Sequence, residues 1–150
     1  MNRHSPSDDP HALERFVAAQ QGSYDIALSE LKQGRKQSHW MWFIFPQLRG
    51  LGQSSMSHLY GIADLNEAQH YLAHPVLGQR LITCAQAVLI HAHMPATAIF
   101  GTIDATKLRS SATLFAAAGK RPSVFDSLIE TFFDGQSCRI TAERLRSTSS

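Results

Sequence analysis

The chain has 150 residues and a formal net charge of +2 at pH 7 with neutral histidines. Hydrophobic residues make up 43% of it and charged residues 17%, a balance that excludes an intrinsically disordered body. No run of basic residues is long enough to follow a phosphate backbone, so we expect no nucleic-acid partner. A chain of this length forms one compact domain. We expect that domain over residues 11–146, between a flexible N-terminus at 1–10 and a flexible tail at 147–150.

Cysteine usage and hydropathy predict the compartment. Cys84 and Cys138 lie far apart and form no CxxC pair, which is typical of free thiols in a reducing environment. The start of the chain is polar, and the longest wholly apolar run, 40–46, is far shorter than the roughly 20 residues of a membrane span. We therefore expect a cytoplasmic protein with no membrane partner.

Capping residues and helical spacing predict the elements of the first half. Asp9 and Pro10 are a favourable N-cap and first helical residue. Gly34 is suited to end a helix. Residues 38–46 fit a short buried strand and a helical turn equally well, because periodicity does not separate the two in so short an apolar run. The predicted elements are a helix over about 10–21, a helix from Tyr24 to Gly34, the undecided segment 38–46 and a short helix over 56–61.

The second half is predicted to be helical. Asp64 and Glu67 form a capping-box pattern, and Ser123 is a favourable N-cap. The predicted helices run from Asp64 to His74, over about 75–92 with a wide apolar stripe, from Asp104 to Gly119, from Ser123 to Gly135 and over 141–146, while 98–101 is undecided. These elements indicate a mainly α, single compact domain of six or seven helices with at most two or three short strands.

The first candidate for chemistry is the aromatic block from His39 to Gln47, which contains both tryptophans of the chain. Trp40 and Trp42 can form part of the core, or they can form an apolar wall against a flat ligand such as a nucleobase. The polar ends of the block, His39 and Gln47, are less easily explained by core packing.

The second candidate is the predicted helix that carries Lys107, Ser110, Ser111 and Thr113 among apolar residues. Lys107 lies three residues before Ser110 and four before Ser111, so an amine could orient or activate a hydroxyl there. That chemistry requires a deprotonated lysine. The other interpretation is anion binding near the beginning of a helix.

Two histidine pairs raise the question of a metal site. His70 and His74 stand four residues apart, and His91 and His93 two apart. The spacing lacks the acidic residue of an HExxH motif, and histidines at helix ends are more often surface residues. We predict no metal site and no other cofactor.

Several motifs together carry a family resemblance. They are Arg15-Phe-Val-x-x-Gln20, Ser38 to Gln47, Gly50-Leu-Gly52, His74-Pro-Val-Leu-Gly78-x-Arg-Leu81, Asp104-x-x-Lys107-Leu-x-Ser-Ser111-x-Thr-Leu-Phe115 and Val124-Phe125. In these segments the chain resembles the domain of unknown function 1810 family, some of whose members carry a calpastatin label that a globular chain does not support. The resemblance implies a compact, mainly helical domain and no established reaction. Ala112 and Cys138 stand where members often have Met and Asp.

The leading hypothesis is a small-molecule site, of a binding protein or an enzyme, where the His39–Gln47 block meets the Lys107 helix. Its ligand would be an anionic, nucleotide-like metabolite. The candidate catalytic residues are His39, Lys107 and Ser111, and the candidate ligand-binding residues are Gln20, Trp40, Trp42, Gln47, Ser110 and Thr113. The alternative is a non-catalytic module for protein interaction or self-association, since tryptophan, phenylalanine and methionine are also enriched at interfaces. We expect a monomer or a homodimer.

Overall fold

The computed structural model describes residues 11–148, and the regular structure in that range is helical. Its nine helices are α1 (Glu14–Gln20), α2 (Tyr24–Gln33), α3 (Met41–Ile44), α4 (Ser55–Leu59), α5 (Leu65–Ala73), α6 (Leu77–Leu89), α7 (Ala96–Ala118), α8 (Val124–Phe133) and α9 (Arg139–Thr148). Extended backbone pairs there at one isolated parallel bridge, between Leu48 and Ile62. None of these helices combines the length and the apolar character that crossing a membrane requires. The flexible end predicted for 1–10 and the last two residues of the flexible tail predicted for 147–150 lie outside the described residues, whereas Ser147 belongs to α9.

The helices enclose a single hydrophobic core. Helix α7 packs against α5, α8 and α9, while α6 packs against α2, α5 and α8. The largest fully buried side chains are aromatic and include Phe16, Trp40, Phe45, Tyr71 and Phe115. Phe16 and Tyr71 meet edge to face with ring centroids 5.2 Å apart. The prediction of a mainly α single domain is confirmed, and seven of the described helices have seven or more residues.

Several helix ends occur where capping residues predict them. Gly34, with φ +77°, takes the left-handed conformation that ends α2. The Asp64 side chain accepts a hydrogen bond from the Glu67 backbone N–H at the start of α5. Ser123 and Asp126 form a capping box at the start of α8.

Helix one begins later than predicted. The structure starts α1 at Glu14 because Ala12 has φ +52°, which interrupts a right-handed helix. The Asp9–Pro10 pair on which the prediction depended lies outside the described residues.

The undecided segment 38–46 contains a single helical turn, α3, and no strand. Within this turn Met41, Phe43 and Ile44 are buried, while Trp42 is half-buried. A turn of this length exposes successive side chains to different surroundings, so the two tryptophans of the segment do not share one environment.

The undecided segment 98–101 belongs to α7, which is interrupted at Gly101 with φ +81° and ψ +166°. That conformation is accessible essentially to glycine. The prediction that Asp104 caps a new helix is therefore wrong. Helix α7 begins at Ala96 after Pro95, and Asp104 lies beyond the Gly101 break with its carboxylate bound to two lysines.

Candidate functional site

A cleft of about 430 Å³ opens where the segment around α3 meets α7 and the start of α9. Small-molecule sites commonly have volumes of roughly 300–1,000 Å³. Three parts of the chain line it: Trp42, Gln47, Leu51 and Gly52; Thr102, Ile103, Thr106, Lys107 and Ser110; and Cys138 and Ile140. The structure thus brings Trp42, Gln47, Lys107 and Ser110 together from the two predicted segments.

Lys107 is the one charged residue among those that line this cleft. Its Nζ atom lies 3.9 Å from the centre of the Trp42 ring and 3.2 Å from Asp104 Oδ1. The other oxygen of Asp104 is 2.9 Å from Lys36 Nζ. Two ammonium groups therefore share one carboxylate, and the three side chains together carry a charge of +1. This surplus favours an anion beside Lys107.

Uncharged polar groups of the lining residues are also available to a ligand. Within residues 11–148 the indole N–H of Trp42 and the side-chain amide of Gln47 have no hydrogen-bond partner. No buried side-chain nitrogen or oxygen of the described residues lacks a partner, so both groups are accessible to solvent. The indole can donate, and the amide can both donate and accept.

Ser110 belongs to a chain of hydrogen bonds that ends on a thiol. Its Oγ atom is 3.0 Å from Thr141 Oγ1, which donates to Cys138 Sγ over 3.2 Å. Because the Thr141 hydroxyl has a single hydrogen, Ser110 is the donor to Thr141. Lys107 instead binds Asp104, and no hydrogen bond joins its ammonium to Ser110 or Ser111 among the described residues.

Trp40 and His39 lie outside the cleft lining. Trp40 is 1% exposed, and its indole N–H donates to Glu30 Oε1 over 2.9 Å. His39 is exposed. The roles predicted for these two residues stay predictions, and the observed role of Trp40 is to hold its segment against α2.

Glu30 is the acceptor that organises this segment. Its carboxylate accepts hydrogen bonds from the backbone N–H groups of Gln37 and Ser38, the Ser38 hydroxyl and the Trp40 indole. Burial by itself would raise the pKa of Glu30, but these four donors outweigh it and lower the pKa to about 2. The carboxylate is therefore ionised at neutral pH and fixes the chain that leads into α3.

Gln20 lies in the core, where its amide donates to the Phe43 carbonyl over 2.8 Å and to the Tyr71 hydroxyl over 3.2 Å. It thereby ties α1 to the end of α3. Ser111 is 1% exposed and does not line the cleft. The ligand-binding role predicted for Gln20 and the catalytic role predicted for Ser111 stay predictions.

Thr113 does not line this cleft and belongs to the lining of a second one. Its hydroxyl donates to the Arg109 carbonyl and accepts from the Cys138 backbone N–H, each over 2.8 Å. The second cleft has a volume of about 360 Å³ and lies between α7, α9 and the start of α5. Arg121 and Arg146 are the charged residues of that second lining, and Arg121 is already paired with Asp126 at 2.6 Å.

Sequence reasoning missed several lining residues, namely Leu51, Gly52, Thr102, Ile103, Thr106, Cys138 and Ile140. Most are small or apolar, so their residue type gives no signal of a site. Thr106 is an exception, since it lies one residue before Lys107. The 136–140 segment reaches the cleft through tertiary contacts alone, such as the bond from Arg109 Nε to the Gln136 carbonyl.

Two of the paired histidines, His74 and His91, bind backbone groups at helix ends. His74 Nδ1 accepts from the N–H groups of Val76 and Leu77 at the start of α6. His91 Nε2 lies 3.0 Å from the carbonyls of Leu31 and Lys32 at the end of α2. Between residues 11 and 148 no group of three or more His, Cys, Asp or Glu side chains is arranged to hold a metal ion.

Comparisons with known proteins match nearly the whole chain. The family described as "Protein of unknown function (DUF1810)" matches residues 10–145. The crystal structure of the conserved hypothetical protein Rv1873 from Mycobacterium tuberculosis matches with a TM-score of 0.90 and 46% sequence identity, covering 92% of this chain and 99% of that one. No curated protein gives a significant match. These matches agree with the family resemblance carried by the motifs from Arg15 to Phe125. The chain therefore belongs to the DUF1810 family.

Proposed function

We propose that this protein binds a small anionic molecule in the cleft lined by Trp42, Gln47 and Lys107. The observation that carries the proposal is the surplus positive charge of the Lys36–Asp104–Lys107 cluster beside two polar groups that have no protein partner in the described structure. A mostly apolar cleft with a few polar groups in fixed positions is the usual form of a small-molecule site.

Nucleotide-like metabolites are one ligand class to test, because Trp42 offers an aromatic surface and Lys107 an anion partner. Binding requires only groups that line the cleft. Catalysis by His39 or Ser111 would require those residues to reach the ligand, and neither lines the cleft. Binding is therefore the function that the geometry supports best.

A thermal-shift screen tests the proposal. The panel contains nucleotides, ADP-ribose, NAD, sugar phosphates and carboxylic acids, applied to the parent chain and to Lys107→Met. The matched control is Lys120→Met, which removes an exposed lysine outside the cleft lining. A ligand at 100 times its Kd adds about 2.7 kcal/mol, which raises the Tm by roughly 5–10 °C at this chain length.

We expect at least one anion to raise the Tm of the parent and of Lys120→Met, and to lose that effect in Lys107→Met. The same anion should slow alkylation of Cys138, which lines the cleft. If every stabilising anion acts equally on Lys107→Met, or leaves the Cys138 rate unchanged, the ligand lies elsewhere and the proposal is wrong.

The second candidate function is a protein interaction or self-association module. It is favoured by Ile103 and Ile140, which are 74% and 57% exposed at the cleft. A dimer is not needed to bury Trp40, which is 1% exposed in the single chain. Sedimentation velocity at tens of micromolar separates the candidates. A dimer that Ile103→Ser and Ile140→Ser dissociate would support the module, and a monomer would support the small-molecule site.

A further inference from the structure

We infer that the ligand of this cleft is an organic monoanion, a carboxylate on an apolar body, and that a nucleotide or another phosphate ester is disfavoured. The inference rests on the proposed binding function and narrows its ligand class. Two features of the cleft carry it, namely the amount of positive charge and the residues that surround that charge.

The first feature is a charge surplus of one. Lys36 and Lys107 share Asp104, so the cluster neutralises one negative charge. A carboxylate carries one charge, whereas a phosphate monoester carries about 1.5 to 2 at pH 7. Arg109 does not line the cleft; its Nε atom donates to the Gln136 carbonyl, and its guanidinium lies 5.7 Å from the centre of the Phe133 ring.

The number of free donors agrees with the charge. The hydroxyl hydrogens of Ser110 and Thr141 are used within the protein. The N–H and O–H groups left to a ligand are the Lys107 ammonium, the Trp42 indole N–H, the Gln47 amide and the Thr102 hydroxyl. The two oxygens of a carboxylate accept about four hydrogen bonds and can therefore use all four of these groups.

The second feature is the apolar surround. Leu51, Ile103 and Ile140 line the cleft, and the two isoleucines are largely exposed. An apolar ligand body would remove these side chains from water. The hydroxyl groups of a ribose placed against them would lose water without gaining protein partners, which is unfavourable.

Nuclear magnetic resonance with matched fragments tests the inference. Each set has one body, phenyl, indolyl or octyl, carrying a carboxylate, a carboxamide or a phosphate. AMP and ADP are added as nucleotides. The chain has two indole N–H signals, which Trp42→Phe assigns. Trp42 reports on the cleft, and Trp40, bonded to Glu30, is the internal reference.

We expect the carboxylates to shift the Trp42 signal and leave the Trp40 signal in place, and to bind at least roughly tenfold more tightly than the matched amides and phosphates. Lys107→Met should remove that preference, and Lys120→Met should keep it. If phosphates or nucleotides bind more tightly and depend on Lys107, the inference fails and the proposed anion site stands. If no anion shifts the Trp42 signal in a Lys107-dependent way, both fail. The comparison among ligands uses the parent chain, so it does not depend on the folding of a variant.

Discussion

The ammonium group of Lys107 lies 3.9 Å from the centre of the Trp42 ring, across the cleft between α7 and α3. Such a cation–π contact contributes roughly 0.5–2 kcal/mol. Its position matters more than its energy, because it fixes the charged end of Lys107 against the wall that a ligand would touch. Asp104 holds the same ammonium from the other side.

Asp104→Asn should destabilise the fold by about 1–3 kcal/mol, because it removes the carboxylate that two lysines share. Lys36 suffers most, since its side chain is 9% exposed and would keep only the Ser38 carbonyl as a strong acceptor. Urea denaturation at pH 7 measures the change. Asp134→Asn, at an exposed residue, is the matched control and should change stability by under about 0.5 kcal/mol. Equal effects of the two substitutions would contradict the structural role of Asp104.

The low pKa of Glu30 leads us to expect a loss of folding stability in acid. Its pKa is about 2 in the fold, below the ordinary value of 4.5, so its stabilising contribution is complete above about pH 4.5 and disappears as the pH falls towards 2. The difference between these two pKa values corresponds to about 3 kcal/mol of unfolding free energy at pH 7. Glu30→Gln should therefore be less stable at pH 7, and its unfolding free energy should approach that of the parent near pH 2.

Urea titrations at pH 7, 4 and 3 follow this convergence. Glu143→Gln is the control, because Glu143 is an exposed partner of Arg139 and should contribute little. A gap between the parent and Glu30→Gln that stays constant over this range would show that the carboxylate charge is not what stabilises the segment.

Gly101→Ala should lower the free energy of unfolding by about 1–3 kcal/mol, because alanine is strained at φ +81° and ψ +166°. A Cβ atom there would meet no other atom within 4 Å, so the cost is one of backbone conformation and not of a clash. Thr102→Ala tests the neighbouring exposed residue without that strain and should be nearly neutral. Thermal unfolding of both variants decides the point, and a neutral Gly101→Ala would mean that the break in α7 does not need glycine.

The two cysteines should react at very different rates. Cys84 is fully buried, and burial raises the pKa of its thiol to about 12. Cys138 is half-buried and lines the cleft. With a disulfide reagent at pH 8 we expect one thiol to react in the native protein and both in urea, with mass spectrometry assigning the first to Cys138. Rapid labelling of Cys84 in the native protein would overturn this expectation.

Local signals predicted the ends of several helices because those ends depend on neighbouring residues. Asp64 and Ser123 cap with their own side chains, and Gly34 supplies a left-handed backbone. The type of segment 38–46 could not be predicted, because its single turn is held by Glu30, a tertiary partner. The type of segment 98–101 and the true start of α7 could not be predicted either, because Asp104 is a favourable N-cap by residue type and the non-helical Gly101 interrupts the helix before it.

Part of the candidate site was also predicted from local signals, in this case residue types. Trp42, Gln47, Lys107 and Ser110 have unusual residue types for their segments, and they meet at one cleft. Gln20, Trp40 and Thr113 have equally suggestive types, but each has hydrogen-bond partners from other parts of the chain. Composition does not reveal those partners, so sequence reasoning could not separate polar residues of the core from polar residues of a site.

The cleft takes its walls from the 42–52 segment, the 102–110 part of α7 and residues 138–140, which are far apart along the chain. A fragment that omits any of the three lacks a complete cleft. Under the proposed function, the fraction of molecules that bind a ligand will therefore equal the fraction that has completed the whole fold, and a preparation that has lost α9 to proteolysis should keep helical content while losing ligand binding.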